Sequence, residues 1–224
     1  MIGDPEECRM PIETQRTMRS LLDVLYNFHW IVWGEAARSA QAYAGLLRLF
    51  LRRHRIRAVI NLRGHNPGHS WWRYETTICR KLRIDHHDIA FNSRALPSRQ
   101  LLVDLLDTFE IAQKPFLIKC SGGQDRTSFA AALYVVYRNG WGARAQALAQ
   151  FAKWPYLHWP KRQQRWLKLF LVYAEQEAQD RPLGTWIRNS YVPEHLMAWL
   201  DAQGLHDVFR NLPGQSARIW KPDR

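Results

Sequence analysis

At 224 residues, with 46% hydrophobic, 12% aromatic and 23% charged residues, the chain can fill one substantial core, and no fixed-period repeat or low-complexity tract points to a solenoid or a disordered protein. Its 32 Lys+Arg against 20 Asp+Glu give a formal charge of +12, a field that draws anions: nucleic acid, lipid headgroups or a phosphorylated substrate. Three widely spaced cysteines, Cys8, Cys79 and Cys120, fit neither a disulfide framework nor a paired zinc site, and no stretch reaches the roughly 18 unbroken apolar residues of a membrane span.

The leader MIGDPEECRMPIETQR sets acids ahead of any apolar run, unlike a secretory signal, so a soluble protein in a reducing compartment is expected. Phe28 to Trp33 (FHWIVW) predicts a short β segment. Gln41 to His54 predicts a helix with Leu46, Leu47, Phe50 and Leu51 on one face and arginines on the other. Arg57 to Leu62 (RAVINL), stopped by Gly64, Pro67 and Gly68, has the pattern of a buried parallel strand. Ser70 is placed to cap a helix through about Leu82, and Ile84 to Ile89 (IDHHDI) predicts another strand. Ser98 caps a helix whose Leu101, Leu102, Leu105, Leu106 and Phe109 share a face, and Pro115 introduces the strand PFLIKC.

Beyond Gly140 the pattern turns helical, with Ala143 to Lys153, Lys161 to Gln179 and Pro193 to Gln203 as candidates, broken by Pro155, Pro160 and Pro182. Trp154, Tyr156, Trp159, Trp166, Phe170 and Tyr173 are expected to form its aromatic interior. Three helix-then-strand units predict an α/β fold: a small, mainly parallel sheet flanked by helices, an added C-terminal helical layer, and chemistry at the strand C-termini.

The most informative run is Lys119-Cys120-Ser121-Gly122-Gly123-Gln124-Asp125-Arg126-Thr127, between the apolar strand PFLIK and the helical run SFAAALYVVY. A strand, a tight loop and a helix start bring backbone N–H groups and the positive end of the helix dipole to one point, where a phosphate would fit. A cysteine in that field has a thiol pKa lowered from ~8.5 to roughly 3.5–7.5, which makes Cys120 a candidate nucleophile. Arg126, at the first helical turn, is placed to grip two phosphoryl oxygens with its guanidinium fork. Neither Cys8 nor Cys79 has an arginine six residues later; Thr14 and Asp85 stand there.

Here the sequence resembles the cysteine-dependent protein tyrosine phosphatase superfamily, whose C-x5-R-[ST] signature is matched by Cys120, Arg126 and Thr127, with Gly123 as the inner glycine. Arg38-Ser39-Ala40-Gln41, IRAVINLRG, Leu96-Pro97-Ser98-Arg99 and CSGGQDRTSFAAALY are similar to a bacterial branch of compact dual-specificity-like phosphatases, over about residues 28–140; WIRNSYVP at Trp186 to Pro193 is a looser match. The resemblance implies residues 1–27 as an N-terminal extension and 28–224 as a single phosphatase domain, with a catalytic core at 28–140 and a helical part at 141–224. It also implies thiolate attack on a phosphate monoester, a phosphocysteine intermediate and no metal or cofactor. Thr127 would then hydrogen-bond the sulfur, and Ser121, Gly122, Gly123 and Gln124 would bind the phosphate.

Two positions depart from that pattern. Lys119 stands where most members have histidine, and it favours the thiolate only if its side chain shares the thiol's face. The loop Ala90 to Pro97 (AFNSRALP), where many relatives carry the general acid, has no carboxylate. Asp125 is the replacement, with Asp88 as runner-up and a helix-capping role as the plain alternative. Arg94, in that same loop, is placed to touch substrate. Arg38 and Gln41 are read as fixing the N-terminal β segment. Trp71 and Trp72 are read as packing, with one of them able to line the pocket. His86 and His87, adjacent on a strand, face opposite sides and so cannot ligate one metal. Cys79 is read as a buried, inert thiol, the alternative being a resolving partner for Cys120.

The expected function is hydrolysis of phosphate monoesters on phosphotyrosine or phosphoprotein, or on a phospholipid headgroup or inositol phosphate. The alternative is a phosphate-binding pseudophosphatase serving as an interaction module. A cytoplasmic location is expected, and the arginines Arg48, Arg52, Arg53, Arg55 and Arg57, like the Lys153 to Lys168 stretch with its tryptophans, would suit peripheral contact with an anionic membrane. No motif supports specific nucleic-acid recognition.

Overall fold

The computed structural model describes residues 20–43 and 45–205, with the backbone of 219–220; Cys8 and the acidic leader lie outside the described residues. Strands β1 (His29–Val32) and β2 (Ala36–Ser39) form an antiparallel hairpin. Three units follow: α2 (Leu47–Arg53) into β3 (Ala58–Asn61), α3 (Ser70–Leu82) into β4 (Asp85–Asp88), and α4 (Arg99–Ile111) into β6 (Phe116–Lys119). The sheet runs β1-β2-β6-β3-β4, parallel except for the hairpin. The mainly parallel α/β sheet flanked by helices is thus present. A short helix α1 (Leu21–Leu25) precedes it, and β5 (Leu96–Pro97) pairs with β7 (Ile219–Trp220) apart from the main sheet.

The pleat sends alternate residues of each inner strand into two different cores. Ala58, Ile60, Phe116 and Ile118 enter the larger core; Val59 and Leu117 enter the smaller one, under α2 and α3. The larger core centres on α5 (Asp125–Asn139), buried without a break from Thr127 to Val136. Helices α6 (Arg144–Ala149), α7 (Trp166–Ala178), α8 (Leu183–Asn189) and α9 (Pro193–Leu200) complete the helical layer.

Several elements differ from the sequence expectation in extent. The helix expected from Gln41 begins at Leu47, because Gln41 and Ala42 are drawn under the sheet end and buried there. Ser70 is the first helical residue of α3 and His69 its cap, without a side-chain cap bond, whereas Ser98 caps α4 through Leu101 N at 3.2 Å. The helix expected from Ala143 to Lys153 stops at Ala149, and that from Lys161 starts at Trp166. Tyr26 and Asn27, placed with the extension by the sequence, are buried in the fold.

The expected aromatic interior needs correcting. Trp166, Phe170 and Tyr173 are buried, Tyr156 is half-buried, and Trp154 and Trp159 are 77% and 69% exposed. Positions 166, 170 and 173 recur at helical spacing on one face of α7. Positions 154 and 159 lie in a strap without helical periodicity, so hydrophobicity alone did not determine their side.

Candidate active site

Strand β6 delivers Cys120 to the C-terminal edge of the sheet, where α5 begins five residues on. The intervening turn is tight because Gly123 holds φ +65°, and a Cβ there would lie 2.6 Å from both the Ala40 nitrogen and the Ser39 carbonyl carbon of β2. Glycine is therefore required by close backbone approach as well as by the left-handed dihedral. Arg38, fully buried, locks this turn from behind. Its Nη2 donates to the Gly123 carbonyl at 2.9 Å and to Ser128 Oγ at 2.8 Å. Its Nη1 donates to the backbone and side-chain oxygens of Gln150 at 2.9 and 3.0 Å. Asn27 Nδ2 adds a longer bond to the same Gly123 carbonyl at 3.4 Å. With that carbonyl turned outward, the amide of Gly123 faces the thiol side.

The thiol of Cys120 is 3% exposed at the floor of a cavity of about 500 Å³. Burial pushes its pKa up, but the Arg126 charge, the Thr127 hydroxyl and the amides of Thr127 and Gly123 together outweigh burial and hold it below the ordinary thiol value. Thr127 Oγ1 is buried without another partner of regular hydrogen-bond geometry, which leaves the sulfur as the group it acts on. Arg126 is steered toward the loop by the Leu62 carbonyl (3.3 Å) and by Ser121 Oγ (3.1 Å).

Of the expected site residues, Cys120, Ser121, Gly122, Gln124, Asp125 and Arg126 line the cavity. Gly123 and Thr127 are buried beneath it and act on the sulfur from below. The opposite wall comes from the acid-free loop, through Phe91, Asn92, Ser93 and Arg94. A third wall, which sequence reasoning did not place at the site, comes from the strap before α7: Trp159, Lys161 and Gln164. No motif marks these three, and only the geometry brings them within reach of a loop some 40 positions earlier in the chain.

Asp125 is the carboxylate of this cavity. Gln164 Nε2 donates to its Oδ2 at 2.8 Å, while Oδ1 is buried 3.4 Å from His158 Nδ1 without a regular hydrogen bond. Burial pushes the Asp125 pKa up, and Gln164, Arg126, Lys161 and Arg94 recover only part of that rise. His158 is itself held neutral: burial, with the charges of Arg38 and Lys168, brings it down to about 4. A carboxyl with a raised pKa in the same cavity as a thiol with a lowered one is an arrangement suited to general acid chemistry.

Asp88 stands away from the cavity at the edge strand, accepting from Asn61 Nδ2 (2.6 Å) and Trp72 Nε1 (2.9 Å). Neither Trp71 nor Trp72 lines the cavity; Trp71 lies 3.4 Å under the Arg63 guanidinium. Lys119 points to the face opposite Cys120, as strand alternation requires. Its Nζ, 1% exposed overall, contacts Glu75 Oε1 at 2.6 Å and Gln41 Oε1 at 2.8 Å. Burial pushes the Glu75 carboxyl up, and the hydrogen bond from His86 and the charge of Lys119 override it, leaving it below the ordinary range. Gln41 also bonds Glu75 at 2.6 Å and its amide donates to the Ser121 carbonyl at 3.1 Å, so this cluster braces the loop from outside. Cys79 lies in the smaller core, with the sheet between it and Cys120, and burial pushes its thiol up to about 12.

No protein-family model and no curated protein matches the sequence. Among solved structures, the chain is similar to the core catalytic domain of the PP-IP phosphatase SIW14 from S. cerevisiae in complex with citrate. That match has a TM-score of 0.52 and 16% identity, over 80% of this chain and 93% of that one. A mutant form of Tk-PTP aligns with a TM-score of 0.53 and 18% identity, over 66% of this chain and 96% of that one. P. aeruginosa TpbA aligns at 0.48 and 16%, over 79% and 92% respectively. The fold of this chain is thus similar to that of these solved phosphatases.

Proposed function

We propose that the chain is a metal-independent phosphate monoester hydrolase working through a phosphocysteine intermediate. The observation that carries this reading is a buried thiol with a depressed pKa on the floor of a cavity whose walls present Arg126, Arg94 and Lys161. In the first step the Cys120 thiolate attacks phosphorus, the ester P–O bond breaks, and Asp125 gives its proton to the leaving oxygen. In the second, Asp125 takes a proton from water as that water attacks phosphorus, and the S–P bond breaks to release inorganic phosphate and the thiolate. Arg126 and the loop amides bind the equatorial oxygens in both steps, through charge-assisted bonds that strengthen as negative charge builds. Thr127 stabilises the sulfur as it leaves.

The substrate class is a phosphomonoester on tyrosine or phosphoprotein, or on a phospholipid headgroup or inositol phosphate. SIW14 is described as a PP-IP phosphatase. The neutral Gln124 beside Asp125 offers fewer cations to a polyphosphorylated ring than a lysine would, while Arg94 and Lys161 supply them from the other walls. A thiolate nucleophile also suits a reducing compartment such as the cytoplasm.

The test is hydrolysis of an aryl phosphate between pH 4.5 and 8 with EDTA present, by the natural sequence and by Cys120→Ser. Turnover that disappears in the serine variant is the expected result. Binding of phosphate analogues by both without turnover would make the domain a phosphate-binding interaction module.

A further inference from the structure

We propose that the strap from Lys153 to Lys168 is a docking surface for an anionic lipid bilayer. Its base is anchored. Phe151 and His158 are buried with their rings 5.3 Å apart, the Tyr156 ring lies 4.2 Å from the Arg38 guanidinium, and its carbonyl accepts from Asn27 Nδ2 at 3.1 Å. Gln164, also buried, is tied to Ser93 and Asp125. From that fixed base three large apolar side chains face outward: Trp154 at 77%, Trp159 at 69% and Leu157 at 44% exposure. A loop tied down this firmly at its base does not leave two tryptophans in water for want of structure, and large exposed apolar side chains concentrated in one short segment mark interaction sites.

The charge around them identifies the partner. Between Asp125 and Glu175 the sequence has no acidic residue. The strap and the start of α7 carry Lys153, Lys161, Arg165 and Lys168 on the surface, none with an ion pair among the described residues. Lys153 Nζ stands 4.1 Å over the Trp159 ring, so cation and indole share one edge. Indoles at the headgroup level, with cations beside them able to reach lipid phosphates, are the composition that binds an anionic membrane surface. Trp159 and Lys161 belong at the same time to the cavity wall, so docking sets the cavity mouth at the headgroup layer. Docking does not require catalysis, and vesicle binding should be the same for Cys120→Ser.

The competing cationic face is α2, with exposed Arg48, Arg52 and Arg53 around Leu49 and no tryptophan. The experiment is co-sedimentation of the full chain with vesicles of phosphatidylcholine alone and of phosphatidylcholine with phosphatidylglycerol, at physiological salt. Binding should rise with the anionic lipid. Trp154→Ala/Leu157→Ala, which changes no charge, should weaken it about tenfold, as loss of two inserted side chains would. Lys153→Ala/Lys168→Ala should weaken it more than Arg52→Ala/Arg53→Ala. Equal weakening by the two charge variants, full binding by the Trp154/Leu157 variant, or no dependence on anionic lipid would overturn the proposal. So would a Trp154/Leu157-dependent dimer that binds no vesicles, which would make the strap a contact between copies, or an equal dependence of duplex DNA binding on the same pair. Thermal melts of each variant check that a loss of binding is not a loss of fold.

Discussion

The two faces of the central sheet bury polar chemistry in opposite ways. On the face of Cys120, one thiol sits at the edge of a large apolar core and has its pKa lowered, against burial, by groups that converge on it: Arg126, Thr127 and the loop amides. On the other face Lys119, the preceding residue, is buried in a closed set of partners in which Glu75, Gln41 and His86 satisfy one another. One residue of strand alternation separates a thiol that lines a cavity from an ammonium enclosed by its partners. Burial raises the energy of a charge on both faces. Only the thiol face opens onto a cavity.

This contrast can be broken at several points. The largest expected effect is on the thiol face. Asp125→Asn should cut turnover of a phosphate ester with a poor leaving group by about 10²–10⁴-fold, and cut it much less for an acidic phenol that needs no proton. Equal losses on both esters, measured as kcat, would remove Asp125 from the acid role. On the opposite face Glu75→Ala leaves the Lys119 ammonium buried without its counter-ion, and urea unfolding should show a loss of about 3–5 kcal/mol. The double variant Glu75→Leu/Lys119→Met should recover most of it, because removing both charges also removes their desolvation. A single variant as stable as the natural sequence would mean that the pair is not what braces this face.

Gly123→Ala tests the join between the faces, since the added Cβ meets the backbone of β2 and a left-handed dihedral at once. A stability loss of about 1–3 kcal/mol is expected, with a larger proportional loss of turnover because the loop amides are displaced from the phosphate. The smallest effects are in the pH dependence of stability. His158, neutral in the fold with a pKa of about 4 against an ordinary 6.5, takes up its proton later than the unfolded chain does, so stability should fall as pH drops from 6.5 to 4. His158→Phe should flatten that window in a series of denaturant midpoints. Glu35 is brought down to about 2, first by the Arg138 hydrogen bond against an opposing push from burial, and then by Tyr134 and Lys114. Its contribution is present above pH 4.5 and lost as pH falls toward 2, and Glu35→Gln should remove that slope.

The units that place the site were legible because their signals are local. RAVINL and PFLIK are apolar runs bounded by turn residues, Ser98 precedes a periodic helix, and the loop from Cys120 to Thr127 sits where a strand hands over to a helix. β2 was less legible: four residues (Ala36–Ser39) joined to β1 by three leave too little pattern to distinguish a hairpin from an irregular entry segment. The sequence left the face of Lys119 open although strand alternation places it opposite Cys120, and its partner Glu75, on α3, is a contact between elements that no spacing encodes. The same holds for Gln164 and His158 beside Asp125. The aromatic strap was misread because six aromatic residues close in sequence were treated as one cluster, whereas helical phase buries only those at 166, 170 and 173 and the loop turns Trp154 and Trp159 outward.

The buried guanidinium of Arg38 constrains how this chain could be cut or rewired. Its two Nη groups reach the turn before α5, α5 itself at Ser128, and the end of α6 at Gln150, from a strand more than 80 residues earlier. A fragment starting after Ser39 would keep every helix-then-strand unit and the whole C-x5-R loop, yet it would lack the group that turns the Gly123 carbonyl outward. A circular permutant that opened the chain elsewhere and kept the hairpin would retain it. For this fold the smallest piece that keeps the loop after β6 in this shape is set by that long-range clasp, and it is larger than the strand, loop and helix that carry Cys120 and Arg126.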